Sequence, residues 1–255
     1  MCRSVELFIV PRVPLFLDLL LGGSGMSAAY IFDVEGTLID CASDTLQCRS
    51  ETLAAFGVPV PSADLQLLSG MDGDEMLATL LPSLGEQARK DILAAQGERY
   101  RAVYLPRVRA FPGVRTVFTA IKSRGARIAL ATDCQSDELK CYRSLMNVDD
   151  LIDAIACGDD VSKGKPDPAL VELALRHLGS TSAVSATMIG DTPFDAQAAR
   201  SAGATAWGTL TGGHARSSLI DAGCSVVVSS VGDFEPFFRR EKPLVSSVST
   251  HQPSK

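Results

Sequence analysis

Two apolar runs lying far apart in the chain each stop on carboxylates. The first is Ile31-Phe32-Asp33-Val34-Glu35-Gly36-Thr37, and the second is Met188-Ile189-Gly190-Asp191-Thr192-Pro193-Phe194-Asp195. A buried strand that runs straight into an acid delivers that acid to its exposed C-terminal end. Open α/β sheets hold their ligands along that edge. Two acid-tipped strands from distant parts of one chain therefore constrain it to a layered α/β fold in which both tips face one crevice.

The remaining sequence supplies the layers. Strand and helix signals alternate from about residue 105. Pro112-Gly113 precedes Val114, Val117, Phe118 and Ile121 at helical spacing, and Gly125 ends that run. Arg127–Thr132 reads as a buried strand, and Ser136-Asp137-Glu138 opens a helix with a capping hydroxyl. Asp167 caps a further helix with Pro168 in its first turn. Val184–Ile189 is the next strand, and Thr192-Pro193 opens a helix running to Ala202. Thr205–Leu210 and Val226–Val228 are further strands, and His214 is expected to begin a surface helix. Such alternation implies a parallel, doubly wound sheet. Residues 43–108 differ. They carry helical patterns over Leu46–Phe56, Gly73–Leu81 and Glu86–Tyr104 without convincing strands. An all-helical insertion at a strand's C-terminal edge predicts a cap over the active face. The expected division is a core of residues 26–42 and 109–236 with a helical cap of residues 43–108.

Composition closes off other classes. The formal charge is −6, with no basic run, which opposes binding to a nucleic-acid backbone. The seven cysteines are odd in number and contain no Cys-x-x-Cys pair, so neither a disulfide framework nor a zinc site is expected, and a reduced, cytoplasmic setting is. Arg12, Asp18, Pro11 and Pro14 break the apolar stretch near the N-terminus, which is too short to span a membrane. Residues 1–25 read as an extension foreign to the rest, with Met26 as the expected translation start. Residues 243–255 are Ser-rich and polar and read as a disordered tail.

Four pieces converge on the predicted sheet edge: Asp33 with Glu35, Thr132, Lys165 in Lys165-Pro166, and Asp191 with Asp195. Magnesium takes carboxylate oxygens together with phosphate oxygens. A carboxylate serves as a covalent nucleophile toward phosphorus. A hydroxyl and a lysine clamp transferring oxygens. The set predicts phosphoryl chemistry on a small phosphorylated metabolite with Mg2+ as cofactor. Cys134 lies near this edge, but no adjacent His supports a thiolate nucleophile. His177, in the last turn of a predicted helix, is read as a dipole partner. Asp72, Asp74 and Glu75 read as a solvated helix start in the cap, and Trp207 as a core-edge aromatic.

These motifs resemble the haloacid dehalogenase superfamily, in particular its phosphatases with a helical cap inserted after the first motif. Asp33-Val34-Glu35-Gly36-Thr37 is similar to the family's Asp-x-Asp-Gly-Thr, and Gly190-Asp191-Thr192-Pro193-Phe194-Asp195 to its Gly-Asp-x-x-x-Asp. The resemblance covers about residues 28–234. It implies Asp33 as nucleophile and Glu35 as general acid/base, with metal ligation by Asp33, Asp191 and the Glu35 backbone carbonyl. It implies that Thr132 and Lys165 bind the phosphoryl group, that Asp195 supports the metal or Lys165, and that Thr37 shapes the loop after the nucleophile. The departure is Glu35, where most family phosphatases have Asp. The implied function is hydrolysis of a small phosphomonoester, phosphoglycolate- or sugar-phosphate-like, by a monomer or homodimer. The alternatives are a phosphomutase on the same fold and a catalytically weak phosphometabolite-binding protein. The retained acids argue against dehalogenation.

Overall fold

The computed structural model describes residues 28–179 and 183–239. The expectations for residues 1–25, for a start at Met26 and for a disordered tail all lie outside the described residues. Six parallel strands form the main sheet: β1 (Ala29–Phe32), β4 (Arg127–Ala131), β5 (Ala154–Ala156), β6 (Ala186–Gly190), β7 (Thr205–Thr209) and β8 (Cys224–Val228). Their spatial order is β5-β4-β1-β6-β7-β8. The chain builds outward from β1 on one side, then returns to its other side through β6. That reversal opens a crevice beside β1 at the strands' carboxyl ends.

Side-chain alternation along the strands builds two unlike faces. Tyr30 and Phe32 of β1 join Leu130, Ile189 and Trp207 in an aromatic-rich layer. Helix α5 (Val114–Ser123) covers this layer with Val114, Val117, Phe118 and Ile121, and Phe234 and Phe238 complete it. Ala29 and Ile31 point the other way, among Ala129, Ala131, Ala186 and Ala206. On that alanine-rich face pack α7 (Ala169–His177), α8 (Pro193–Ser201) and α9 (Arg216–Ala222). Small side chains let helices approach a sheet closely, whereas the aromatic face fills its space with rings.

The insertion is helical, as its pattern predicts. It comprises α1 (Ala42–Ala55), α2 (Ser62–Leu67), α3 (Gly73–Leu80) and α4 (Glu86–Arg99), followed by a π-type turn at Tyr100–Tyr104. Its own small core is Leu53, Leu65, Met76, Leu77 and Ile92. The sequence pattern did not announce the antiparallel pair β2 (Ile39–Asp40) and β3 (Arg109–Ala110), which ties the insertion's two ends together. At two residues each, these strands are too short for periodicity to register.

Several boundaries differ by a residue or two. Ser136 is the first residue of α6 (Ser136–Met146) rather than its cap; Gln135 precedes it, and the Ser136 N–H donates to Asp159 at 2.8 Å. Pro168 is the cap residue of α7, and Asp167 accepts from the Ala169 N–H at 3.0 Å. The strand expected at Val184 starts at Ala186, after a turn of 3-10 helix. His214 does not begin a helix. It lies two residues before α9 and faces the Ser69 carbonyl of the cap at 3.2 Å. His177 is in the last turn of α7, facing the Ile155 carbonyl at 2.7 Å. Among the described residues no helix is long and apolar enough to cross a membrane.

Candidate active site

Strand register brings the acids together. Phe32 pairs with Leu130 on one side and Ile189 on the other, so the residues that follow emerge at nearly one level. The Asp33 N–H still donates to the Ile189 carbonyl at 2.9 Å, and the Thr132 N–H to the Ala156 carbonyl at 3.1 Å. One residue later the chain leaves the sheet, so Asp33, Thr132 and Asp191 tip the three strands. All three are buried yet line a common cavity of about 540 Å³.

Lys165 knits the floor of that cavity. Its ammonium donates to Asp33 Oδ1 at 2.5 Å and to Asp195 Oδ1 at 2.8 Å, and lies 3.4 Å from Asp133 Oδ2. The Lys165 N–H donates to Asp133 Oδ1 at 3.0 Å, fixing the loop that carries the lysine. Asp195 uses its other oxygen locally: Oδ2 accepts from the Thr192 N–H at 3.0 Å and the Thr192 hydroxyl at 2.8 Å, a capping box for α8. Asp195 therefore orients Lys165. The Thr37 hydroxyl donates to Asp191 Oδ1 at 2.6 Å. Gly36 makes this approach possible: at φ +78°, a Cβ there would meet Asp191 Oδ2 at 2.2 Å.

Ligand oxygens of Asp33, Asp191 and Asp195 lie within 4.8 Å of one another. Three buried carboxylates face one buried ammonium, so the floor carries an excess of negative charge. Burial, reinforced by Asp195, pushes the Asp191 carboxyl up to about 7. Burial also raises Asp33 well above the usual carboxylate range, against the pull of Lys165. Burial by itself would lower the Lys165 ammonium, but Asp195, Asp33 and Asp133 carry it well above the usual lysine range. Among the described residues, Asp33 Oδ2 and Asp191 Oδ2 have no side-chain donor. Such a hard-oxygen set with surplus negative charge fits a small divalent cation.

Glu35 occupies a different wall. Its Oε1 accepts from the Tyr142 hydroxyl of α6 at 2.7 Å, and the Tyr142 hydroxyl lies 2.8 Å from that of Tyr100. Tyr142 has one proton to give, so the chain that satisfies all three groups runs from Tyr100 to Tyr142 to Glu35. Burial raises the Glu35 carboxyl, and the Tyr142 bond opposes that shift. A carboxyl raised in this way holds its proton more readily than a free carboxyl, as a general acid requires. Burial first, then the charge of Glu35, keeps the Cys134 thiol well above its usual range, so no thiolate nucleophile forms there.

The cap supplies the roof. Ala42, Thr45 and Arg49 of α1, Gly70–Asp74, and Gln96, Tyr100 and Arg101 line the same cavity. Asp72 caps α3 by accepting from the Asp74 and Glu75 N–H groups, and Asp74 pairs with Arg89 at 2.8 Å. Their charges are therefore mostly used within the cap. Cap and core also touch directly: the Asp72 N–H donates to the Lys165 carbonyl at 2.9 Å, Gln66 donates to the Gly212 carbonyl at 2.9 Å, and Arg101 pairs with Glu138 at 3.2 Å. Gly70, at φ +90°, sits where a Cβ would meet Thr192 at 2.4 Å.

The Haloacid dehalogenase-like hydrolase family matches residues 30–208, a span that begins in β1 and ends in β7. The chain belongs to this family. A phosphoglycolate phosphatase of Rhodospirillum rubrum is 28% identical over 83% of this chain and 92% of its own length. Among solved structures, a hydrolase from Pseudomonas syringae matches with a TM-score of 0.76 at 27% identity, over 82% of this chain and 96% of that one. CbbY from Rhodobacter sphaeroides, determined in complex with phosphate, matches with a TM-score of 0.66 at 26% identity, over the same 82% and 96%. In this haloacid dehalogenase-like hydrolase, the six residues expected to form the site line one cavity, Asp33, Glu35, Thr132, Lys165, Asp191 and Asp195, while Thr37 lies behind it against Asp191. Sequence reading missed Tyr142, Tyr100, Asp133, Thr45 and Arg49. Asp133 adjoins Thr132 and was within reach of a motif argument. The other four lie on helices, where only the packing shows which face meets the cavity.

Proposed function

We propose that this chain is a magnesium-dependent phosphatase acting on a small phosphomonoester, phosphoglycolate- or sugar-phosphate-like. The observation that carries the reading is Lys165, buried and shared between Asp33 and Asp195, with Asp191 beside them at the ends of neighbouring strands. Asp33 attacks phosphorus in line with the departing ester oxygen, forming an aspartyl-phosphate. Glu35 donates its proton to that oxygen. Deprotonated, it then takes a proton from the water that hydrolyses the acyl phosphate. Lys165 and the Thr132 hydroxyl bind the non-bridging oxygens as charge shifts onto them. Asp33, Asp191 and the Glu35 backbone carbonyl would hold the Mg2+, which supplies charge neutralisation between nucleophile and phosphate. The cap, taken as residues 43–108, closes the cavity against bulk water.

The test is a phosphate-release screen with Mg2+ over small phosphomonoesters, with wild type and Asp33→Asn run together. Release by the wild type that Asp33→Asn abolishes supports the reading. An isomerised phosphosugar in place of free phosphate would instead identify a mutase. Ligand affinity without release across the panel would identify a binding protein.

A further inference from the structure

Arg49 is the anomaly in the cavity. It lies in the middle of α1, is 8% exposed, and lines the cavity. Its one hydrogen bond runs from Nε to Gln96 Oε1 at 3.4 Å, and no carboxylate among the described residues is in ion-pair contact with it. The other cavity cations are engaged. Lys165 is held by the floor carboxylates, Arg101 pairs with Glu138, and Lys90 pairs with Glu86. The terminal nitrogens of Arg49 are not sealed away; they open into the cavity, placed to pair with an anionic ligand. Burial pulls the Arg49 guanidinium below its usual range, and Glu35 only partly restores it.

One turn earlier on the same helix stands a second unspent group. The Thr45 hydroxyl is buried and borders the cavity; beside it lies the Tyr100 hydroxyl, but among the described residues no partner meets it with good hydrogen-bond geometry. Residues four apart share a helix face. Helical side chains also lean toward the N-terminus, which for α1 is the end joined to the catalytic floor through Cys41. Thr45 and Arg49 thus share the face of α1 that borders the cavity, with Arg49 near enough to Glu35 to feel its charge. A planar guanidinium with its terminal nitrogens free matches a carboxylate or phosphate through two parallel hydrogen bonds.

We propose that Arg49 and Thr45 form a second anion subsite opposite the phosphoryl pocket, so that this enzyme selects short phosphomonoesters bearing a further anionic oxygen group, a carboxylate or a second phosphate. The cavity of about 540 Å³ has room for a compact metabolite of that kind. For turnover this rests on the phosphatase reading; for binding it does not.

Three esters of similar size separate the terms: phosphoglycolate with a carboxylate tail, ethylene glycol bisphosphate with a phosphate tail, and ethyl phosphate with a neutral one. The readout is the ratio of kcat/KM for each anionic ester to that for ethyl phosphate. In Arg49→Met this ratio falls by about 100-fold for the ester whose tail the subsite takes. Arg49→Lys keeps the charge but loses the fork, and retains part of the ratio. Thr45→Val lowers it by about 5-fold. A fall confined to phosphoglycolate assigns the subsite to carboxylates, and one confined to the bisphosphate assigns it to phosphate. Ratios within about 3-fold of wild type in Arg49→Met and Arg49→Lys, both folded by circular dichroism, overturn the proposal.

A binding arm keeps the two readings separable. Calorimetry on Asp33→Asn compares the same three esters with and without Arg49→Met. If no ester is hydrolysed by the wild type but the Arg49-dependent preference persists in binding, the subsite stands and the phosphatase reading fails. Equal affinities for all three esters overturn the subsite.

Discussion

The floor and the roof of one cavity are built on opposite principles. On the floor, every charged side chain is held by another: Lys165 by Asp33 and Asp195, Asp195 by Thr192, Asp191 by Thr37, with one oxygen each of Asp33 and Asp191 left toward the cavity. On the roof, Arg49 has one weak hydrogen bond and no ion-pair partner among the described residues, and Thr45 has beside it only the Tyr100 hydroxyl, without good hydrogen-bond geometry. A floor that must align an attack within fractions of an ångström gains from groups that hold one another in place. A roof that discriminates among substrates gains from donors left for the ligand. The proposed chemistry thus falls at the strand ends and the proposed selection in the cap.

The comparison breaks first at Asp33. Asp33→Asn replaces the proposed nucleophile with an amide, and phosphate release is expected to fall by about 10⁴-fold or more, measured with Mg2+ at saturating substrate. Activity within about 100-fold of wild type would move the chemistry away from the strand ends.

Lys165 and Arg49 should then diverge in stability. Lys165→Met strands Asp33, Asp195 and Asp133 around a lost cation, at a cost of about 3–5 kcal/mol read from urea unfolding. Arg49→Met strands no ion-paired carboxylate among the described residues, so its unfolding midpoint stays close to that of wild type. Equal losses in both variants would erase the distinction between floor and roof.

Tyr142 sharpens the contrast, because it links the two regions through Glu35 and Tyr100. Tyr142→Phe removes the donor that holds the Glu35 carboxylate form. The apparent pKa of the limb of the pH–rate profile governed by Glu35 moves upward, and kcat falls by about 10-fold. An unmoved profile would show that Tyr142 serves packing alone.

The smallest expected effect is on stability against pH. Burial and Asp195 raise the Asp191 carboxyl from 3.8 to about 7. Between those values the folded protein holds a proton that the unfolded chain has released, so metal-free stability falls as pH rises through that window. Mg2+ should raise Tm by a few degrees at about pH 8 and by less at about pH 5, where protons compete for the same oxygens. A metal-free Tm that climbs across the window would contradict the charge excess on the floor.

Much of the cavity floor was legible before any coordinates, because its residues sit where strands stop, and strand ends are marked by the switch from apolar to acidic residues. Asp33, Thr132 and Asp191 were all found that way, and Lys165 by its place before Pro166. The helical nature of the insertion was legible from periodicity. The two-residue strands β2 and β3 were not, since two residues carry no period. Ser136 was misread as a cap because a hydroxyl near a helix start is ambiguous by one position, and Asp159, from a distant segment, satisfies its N–H instead.

By itself the sequence determined the parallel α/β layering, the inserted helices and the acids at the sheet edge, because each depends on patterns local to the chain. Only the tertiary structure decided which helix faces meet the cavity. Tyr142 binds Glu35 across 107 residues, and Lys165 joins Asp33 across 132. Arg49 stands out only because the packed structure brings it no carboxylate. Whether a buried charge is paired depends on what the whole chain places around it, and no short stretch of residues contains that information.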